Sequence, residues 1–94
     1  MNPGQPPSLG RIVHFTVDNV SAAKLNQLGG RRYAVSEKCA AIITRVQDNN
    51  ACNLTLFPDA DEILHVSNVA YSTGGQPGTW SWPERIGDAV EAAA

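Results

Sequence analysis

The sequence predicts a mainly β protein, a small antiparallel barrel with one short helix in the excursion after the first strand. Three observations support this. Five short segments rich in β-branched and aromatic residues are separated by Gly, Pro, Asn and Asp turns. No long helical pattern alternates with them, so a parallel sheet is disfavoured. The chain of 94 residues is one domain in size, and its hydrophobic content of 43% fits a globular fold. A split sandwich is the alternative architecture.

The first strand is predicted over Arg11–Val17, after a flexible arm at 1–10 that holds three prolines and two glycines. Alternation divides its side chains between two faces. One face, expected to be the core face, carries Val13, Phe15 and Val17. The opposite face carries Ile12, His14 and Thr16.

The hydrophobic period then changes from two to about 3.6 over residues 18–30, which indicates a short helix. Asp18 or Ser21 can cap its start, and the glycine pair Gly29-Gly30 is expected to end it. Residues 31–37 are predicted to form a loop or a short strand.

Four further strands complete the predicted barrel. The most apolar run, Lys38–Gln47, is expected to be central, and the turn at Asp48–Asn50 leads into the next strand. A strand at 63–72 has an expected irregularity near Ser67 and Asn68. The last, "TWSW", ends before Pro83, which cannot donate to a sheet. This order is that of SH3-like barrels: a strand, a long connection that holds the helix, a hairpin, a further strand and a short closing strand. The predicted barrel domain covers 11–85, and a tail follows at 86–94.

The charge is unevenly distributed along the chain. The net charge is −2, which disfavours general nucleic-acid binding because phosphate neutralisation requires a basic surface. Residues 11–46 hold six basic and two acidic side chains, whereas 47–94 hold one basic and seven acidic ones. This asymmetry suits a small anionic ligand on the first half or self-association of unlike surfaces. The alternative is a solvated surface on which the charges mix in space.

Both tryptophans lie in the closing segment "GTWSWPER". Trp80 and Trp82 share a face if this segment is extended. Three roles are open to them: closure of the core, a stacking platform for a base or ring, and a contact in an oligomer.

Arginines near aromatic residues are the candidate ligand contacts. "GGRRY" joins flexible backbone to two guanidiniums and a phenol, and guanidiniums bind phosphate or carboxylate in bidentate fashion. As a motif it falls short of a P-loop. The predicted ligand-binding residues are Arg11, His14, Arg31, Arg32, Tyr33, Trp80, Trp82 and Arg85. For the histidine and the arginines, ordinary solvated or hydrogen-bonded roles remain the alternative.

Neither a metal, a cofactor nor catalysis is predicted. Cys39 and Cys52 match no zinc spacing and are expected to be buried thiols, with a disulfide only in an oxidising compartment. Three acids in "PDADE" are expected to be solvated. No nucleophile, base and orienting group can be paired by spacing.

Four segments, "PSLGRIVHF", "AAIITRV", "CNLTLFPD" and "PGTWSWPER", resemble a family of short bacteriophage and prophage proteins. Members of that family begin with a GRIVH-like strand and close with "GTWHWPER". The resemblance covers most of positions 7–85 and implies a phage origin more than an activity. Ser81 stands where the family has a histidine between the tryptophans, so a possible acid–base group is missing here.

Together these observations lead to two functional expectations. The first is a phage-encoded, homo-oligomeric accessory protein of the host cytoplasm that binds a small anionic nucleotide-like ligand, such as a signal of host immunity. The second is a structural or assembly component of the virion that acts through protein interfaces alone. No apolar run reaches the roughly 20 residues of a membrane span, so no membrane partner is expected.

Overall fold

The computed structural model describes residues 6–60, 62–73 and 75–83 and shows a closed barrel of five strands. The elements are β1 (Ile12–Thr16), α1 (Asn19–Asn26), β2 (Lys38–Val46), a 3-10 turn (Asp48–Asn50), β3 (Cys52–Phe57), β4 (Leu64–Tyr71) and β5 (Thr79–Ser81). The predicted fold class is confirmed: the chain is mainly β, with one short helix after the first strand, and the arrangement is consistent with an SH3-like barrel.

Four of the five strand pairs are antiparallel, and β4 pairs with β5 in parallel. A ring with an odd number of strands cannot alternate direction all the way round, so one parallel pair is required. The loop before β5 leads into a strand whose Thr79 and Trp80 lie beside Ala70 and Tyr71 at the end of β4. Gly78 in this loop has a φ of +82°, and its amide donates to the Thr16 carbonyl oxygen at 2.7 Å. A side chain there would lie 3.0 Å from the Asp18 carboxylate.

The core consists of the inward side chains of all five strands together with the helix and its following loop. On β1 the predicted core face is confirmed, because Val13, Phe15 and Val17 are at most 2% exposed. The alternate positions of β2 and β3 are buried in the same way. The remaining buried apolar residues are Leu25, Tyr33, Cys39, Ala41, Ile43, Cys52, Leu54, Leu56, Val69 and Trp80.

The helix begins where the sequence predicts and ends earlier. The Asp18 carboxylate accepts a hydrogen bond from the Ser21 amide at 2.8 Å, which caps α1. The helix ends at Asn26, before the glycine pair that was expected to end it. At this end the Asn26 carboxamide accepts from the Tyr33 amide at 2.7 Å and donates to the Tyr33 carbonyl at 3.1 Å. This pair of bonds ties the loop at 31–37 to the helix end.

Gly30 fixes the same loop against the β3–β4 connection. A Cβ atom at Gly30 would overlap Ala60 and lie 2.5 Å from the Asp59 carbonyl oxygen. The Arg31 amide donates to that carbonyl oxygen at 3.3 Å. The loop therefore approaches the connection so closely that only glycine fits at this position.

The predicted irregularity in β4 is present at Asn68, which has a φ of 56°. The pairing of β3 with β4 shifts register there, from Cys52 opposite Val69 to Leu54 opposite Val66. The two cysteines are free and buried, as predicted. Cys39 lies near the start of β2, whereas Cys52 pairs with Val46 at its end, so the strand length separates the thiols.

Candidate functional site

One end of the barrel carries Arg11 stacked on Trp82. The guanidinium carbon of Arg11 lies 5.1 Å from the centre of the Trp82 ring. Pairing of His14 with Ser81 brings the start of β1 beside the residues that follow β5, although the two segments are far apart in sequence. Hydrogen bonds join the backbone of Gly10 and Arg11 to Ile43 on β2 at 2.8 and 3.0 Å. The part of the predicted arm next to β1 is thus held on the barrel.

The indole N–H of Trp82 is an unusual group at this end. Trp82 is half-buried, and its Nε1 atom is buried with no acceptor in the described part of the chain. A buried donor without a partner costs about 1–3 kcal/mol.

Trp80, in contrast, is a core residue. It is 1% exposed, and its Nε1 donates to the Asn50 carbonyl at 3.0 Å. Its ring centre lies 4.7 Å from that of Tyr71 and 5.3 Å from that of Trp82, the latter at a near-perpendicular 89°. The core-closure role therefore applies to Trp80, and its buried ring offers no face for ligand stacking.

The loop that follows α1 contains a second arginine–aromatic pair. The Arg31 guanidinium lies 4.5 Å from the Tyr33 ring centre and forms an ion pair with Glu37 at 2.8 Å. Tyr33 is 5% exposed. Burial, followed by its hydrogen bond with Cys39, raises the pKa of the Tyr33 hydroxyl, and burial raises the pKa of the Cys39 thiol. The Glu37 carboxylate also accepts from the Ala34 amide at 2.7 Å, so these contacts hold the loop together.

The seven predicted site residues that the structure describes do not lie together at one place. Tyr33 lies beside Cys39, whereas Arg11 is bonded to Ile43, four residues further along β2. At about 3.3 Å per residue, these positions are about 13 Å apart. Arg32 is exposed on the loop, and His14 lies on the outside of β1 opposite Ala40. The remaining candidate, Arg85, lies outside the described residues.

A polar groove lies at the β2–β3 turn and was not predicted from the sequence. It has a volume of about 440 Å³ and is lined by Arg45, Val46, Gln47, Asp48, Asn49 and Asn68. Two of the lining residues are joined through Asn53, whose side-chain oxygen accepts from the Gln47 side chain at 2.7 Å and from the Asn68 amide at 3.0 Å. The signal that could have indicated it is the asparagine-rich turn, since asparagine tolerates the left-handed backbone found at Asn49.

Within the described residues, His, Cys, Asp and Glu side chains form no cluster of three or more that could hold a metal ion. The same part of the chain has no helix long and apolar enough to cross a membrane. No known protein family, curated protein or solved structure matches this chain.

Proposed function

We propose that the protein binds a small anionic ligand at the barrel end formed by Arg11 and Trp82. The observation that supports this proposal is the position of the Arg11 guanidinium, 5.1 Å from the centre of the half-buried Trp82 ring. The indole N–H of Trp82 has no acceptor in the described residues. Both side chains carry N–H donors, and Arg11 lies over the face of the Trp82 ring. Arginine also presents a planar fork that fits a phosphate or carboxylate.

Stacking makes this arginine an effective ligand contact. A guanidinium packed on an aromatic ring loses fewer conformations on binding than one that moves freely in solvent. An oxygen atom of an anionic ligand could accept from Arg11, and a second acceptor atom from the Trp82 N–H. Phosphates offer several such oxygens, so a nucleotide is the ligand class that we favour.

The biological setting that we propose follows from the family resemblance. A small phage protein with an anion site could sequester a nucleotide signal of host immunity in the host cytoplasm. Sequestration requires only binding, so the protein would act without catalysis. The serine between the tryptophans is in accord with a binding role.

Thermal shift with a panel of cyclic and ADP-ribose-type nucleotides tests this proposal. A ligand at 100 times its Kd stabilises the fold by about 2.7 kcal/mol. In a domain of this size, that raises Tm by about 10–20 °C. The absence of a shift with every nucleotide in the panel would count against the proposal.

Three variants locate the site. Arg11→Gln should remove most of the shift, and Trp82→Phe should weaken binding about 5- to 10-fold, in line with one lost hydrogen bond of about 1 kcal/mol. Arg32→Gln is the matched control, because it removes the same charge from the loop after α1. If Arg32→Gln abolishes the shift and Arg11→Gln does not, the ligand site lies on that loop instead.

A structural role in the virion is the second candidate. The observation that favours it is the number of large apolar side chains on the surface, including Ile12 at 62% and Ile63 at 61% exposure. Contiguous exposed apolar residues mark protein interfaces. Detection of the protein in purified phage particles, together with no response to nucleotides, would support this role over ligand binding.

A further inference from the structure

The polar groove at the β2–β3 turn is built on distorted backbone. Asn49 and Asn50 in the turn and Asn68 on β4 have φ values between 56° and 65°, in the left-handed region that residues other than glycine rarely adopt. The pairing of β2 with β3 shifts register between Ile43 and Arg45, and that of β3 with β4 shifts beside Asn68. Bulges and left-handed residues are enriched at functional sites. Here both kinds of distortion meet at one groove.

Hydrogen bonds fix the turn on its core side. The Asn50 carbonyl oxygen accepts from the Nε1 of Trp80, a core residue, at 3.0 Å. The Gln47 amide donates to the Ala51 carbonyl oxygen at 2.8 Å, and the Gln47 side chain donates to Asn53 at 2.7 Å. A site whose backbone is already held in place loses little conformational freedom when a ligand binds.

The polar groove carries one positive and one negative side chain, and the two do not pair. In the part of the chain that the structure describes, neither the Arg45 guanidinium nor the Asp48 carboxylate has a hydrogen-bond or ion-pair partner. The two residues are three positions apart, so their Cα atoms lie at most about 11 Å from each other. Their charged ends can therefore contact opposite ends of one small ligand.

We infer that the polar groove binds the zwitterion of a free amino acid. The Arg45 guanidinium donates to the α-carboxylate, and the Asp48 carboxylate accepts from the α-ammonium. A ligand with negative charge alone, such as a nucleotide, places a like charge before Asp48, and a cation does the same before Arg45. A sugar pairs with neither charge. Val46 is the one apolar residue among the described residues of the lining, so the apolar face of a sugar ring gains little burial there.

The rest of the lining favours a polar side chain on the amino acid. The carboxamides of Asn49 and Asn68 line the groove, and each can both donate and accept a hydrogen bond. A carboxamide on the ligand matches them in the same two roles. The volume of about 440 Å³ lies at the lower end of the range for small-molecule sites, about 300–1,000 Å³. L-glutamine is therefore the probe that fits the groove in charge, polarity and size.

Titration of isotope-labelled protein with L-glutamine, followed by amide NMR, tests the inference. For a ligand of about ten non-hydrogen atoms in an open groove, we expect a Kd of about 1 mM. Amide signals should move at 45–50 and at Asn68, the residues that form the groove and its turn. The indole N–H signal of Trp80 should move with them, because this group donates to the Asn50 carbonyl.

Two variants that each remove one charge locate the site. Arg45→Gln and Asp48→Asn should each raise the Kd for L-glutamine at least 10-fold, because each removes one of the two charge pairs. Arg32→Gln and Asp59→Asn are the matched controls, since they make the same chemical changes at exposed positions on other loops. Both controls should bind like the wild type. The dispersion of the amide signals shows whether each variant remains folded.

Two further compounds test the ligand class. N-acetyl-L-glutamine keeps the carboxylate and lacks the ammonium, so it should bind at least 10-fold more weakly than L-glutamine. Glucose, the neutral sugar, should leave the signals at 45–50 in place. Equal binding of either compound would overturn the assignment of a zwitterion.

The polar groove borders the proposed anion site, because Arg11 is hydrogen-bonded to Ile43, two residues before Arg45. Variants therefore distinguish the two proposals. Arg45→Gln should leave the thermal shift with nucleotides unchanged, and Arg11→Gln should leave L-glutamine binding unchanged. No movement of the signals at 45–50 up to about 20 mM L-glutamine, twenty times the expected Kd, would overturn the inference, as would binding that Arg45→Gln and Asp48→Asn both leave intact.

Discussion

The two tryptophans are expected to respond very differently to the same substitution. In Trp80→Phe, a residue with 1% exposure loses the hydrogen bond from its Nε1 to the Asn50 carbonyl. In Trp82→Phe, a half-buried residue loses an N–H that has no acceptor in the described chain. The chemical change is identical, so the difference between the variants isolates the environment of each ring.

The magnitudes follow from these environments. Trp80→Phe loses a hydrogen bond of about 1 kcal/mol. It also leaves a cavity of about 40 Å³, which at about 24 cal/mol per Å³ adds about 1 kcal/mol to the lost transfer energy of the removed atoms. The expected destabilisation is about 2–4 kcal/mol. For Trp82→Phe, removal of an unpaired buried donor offsets the lost packing, and the net change should lie within about 1 kcal/mol of zero.

Urea denaturation followed by far-ultraviolet circular dichroism measures both values without relying on tryptophan fluorescence. Equal slopes of the unfolding free energy against urea concentration would show that the two variants expose the same surface area on unfolding. Comparable losses of stability in the two variants would refute the reasoning. A Trp80→Phe cost below about 1 kcal/mol would likewise show that the ring is not the core element described above.

Three further predictions concern the loop and the thiols. Gly30→Ala should destabilise the fold by about 1–3 kcal/mol because the added methyl group meets the backbone at 59–60. Gly29→Asn should cost less than about 1 kcal/mol, because Gly29 faces open space and asparagine tolerates its φ of +81°. Thermal denaturation compares the two, and equal costs would contradict the close approach. Burial raises the pKa of Cys39 and of Cys52, so the unfolded chain loses thiol protons that the folded chain keeps. The free energy of unfolding should thus be steady below the ordinary thiol pKa of about 8.5 and fall as the pH rises above it, with a shallower fall when both are alanine. A thiol reagent at neutral pH should label neither cysteine until denaturant unfolds the barrel, and rapid labelling of the native protein would contradict their burial.

The local elements were largely predictable from the sequence because they depend on neighbouring residues. Alternation on β1 predicts Val13, Phe15 and Val17 as core residues, and Asp18, one of two candidate caps, is the residue that caps the helix. The end of α1 was not predictable in this way. Hydrogen bonds join Asn26 at this end to the backbone of a residue seven positions later, and a local pattern does not report them.

The sequence indicates which residue types are candidates for the site, but it does not indicate which of these residues lie together in the fold. Arg31 and Tyr33 are close in sequence and lie together, and Arg31 also forms an ion pair with Glu37. Arg11 and Trp82 are distant in sequence and come together only because β1 and β5 are neighbours. The sequence predicted arginines and tryptophans as candidate ligand contacts, whereas barrel closure determines which arginine lies on which ring.

The pairing of the first strand with the last one has a consequence for how the protein is made. Phe15 pairs with Trp80, sixty-five residues later in the chain. The ring cannot close on the ribosome until the final strand has been synthesised. Contacts between such distant residues also slow folding, because a long stretch of chain must be ordered before they form. Until that moment β1 has one open edge, and this nascent state is the one in which the protein is most exposed to aggregation and to chaperones.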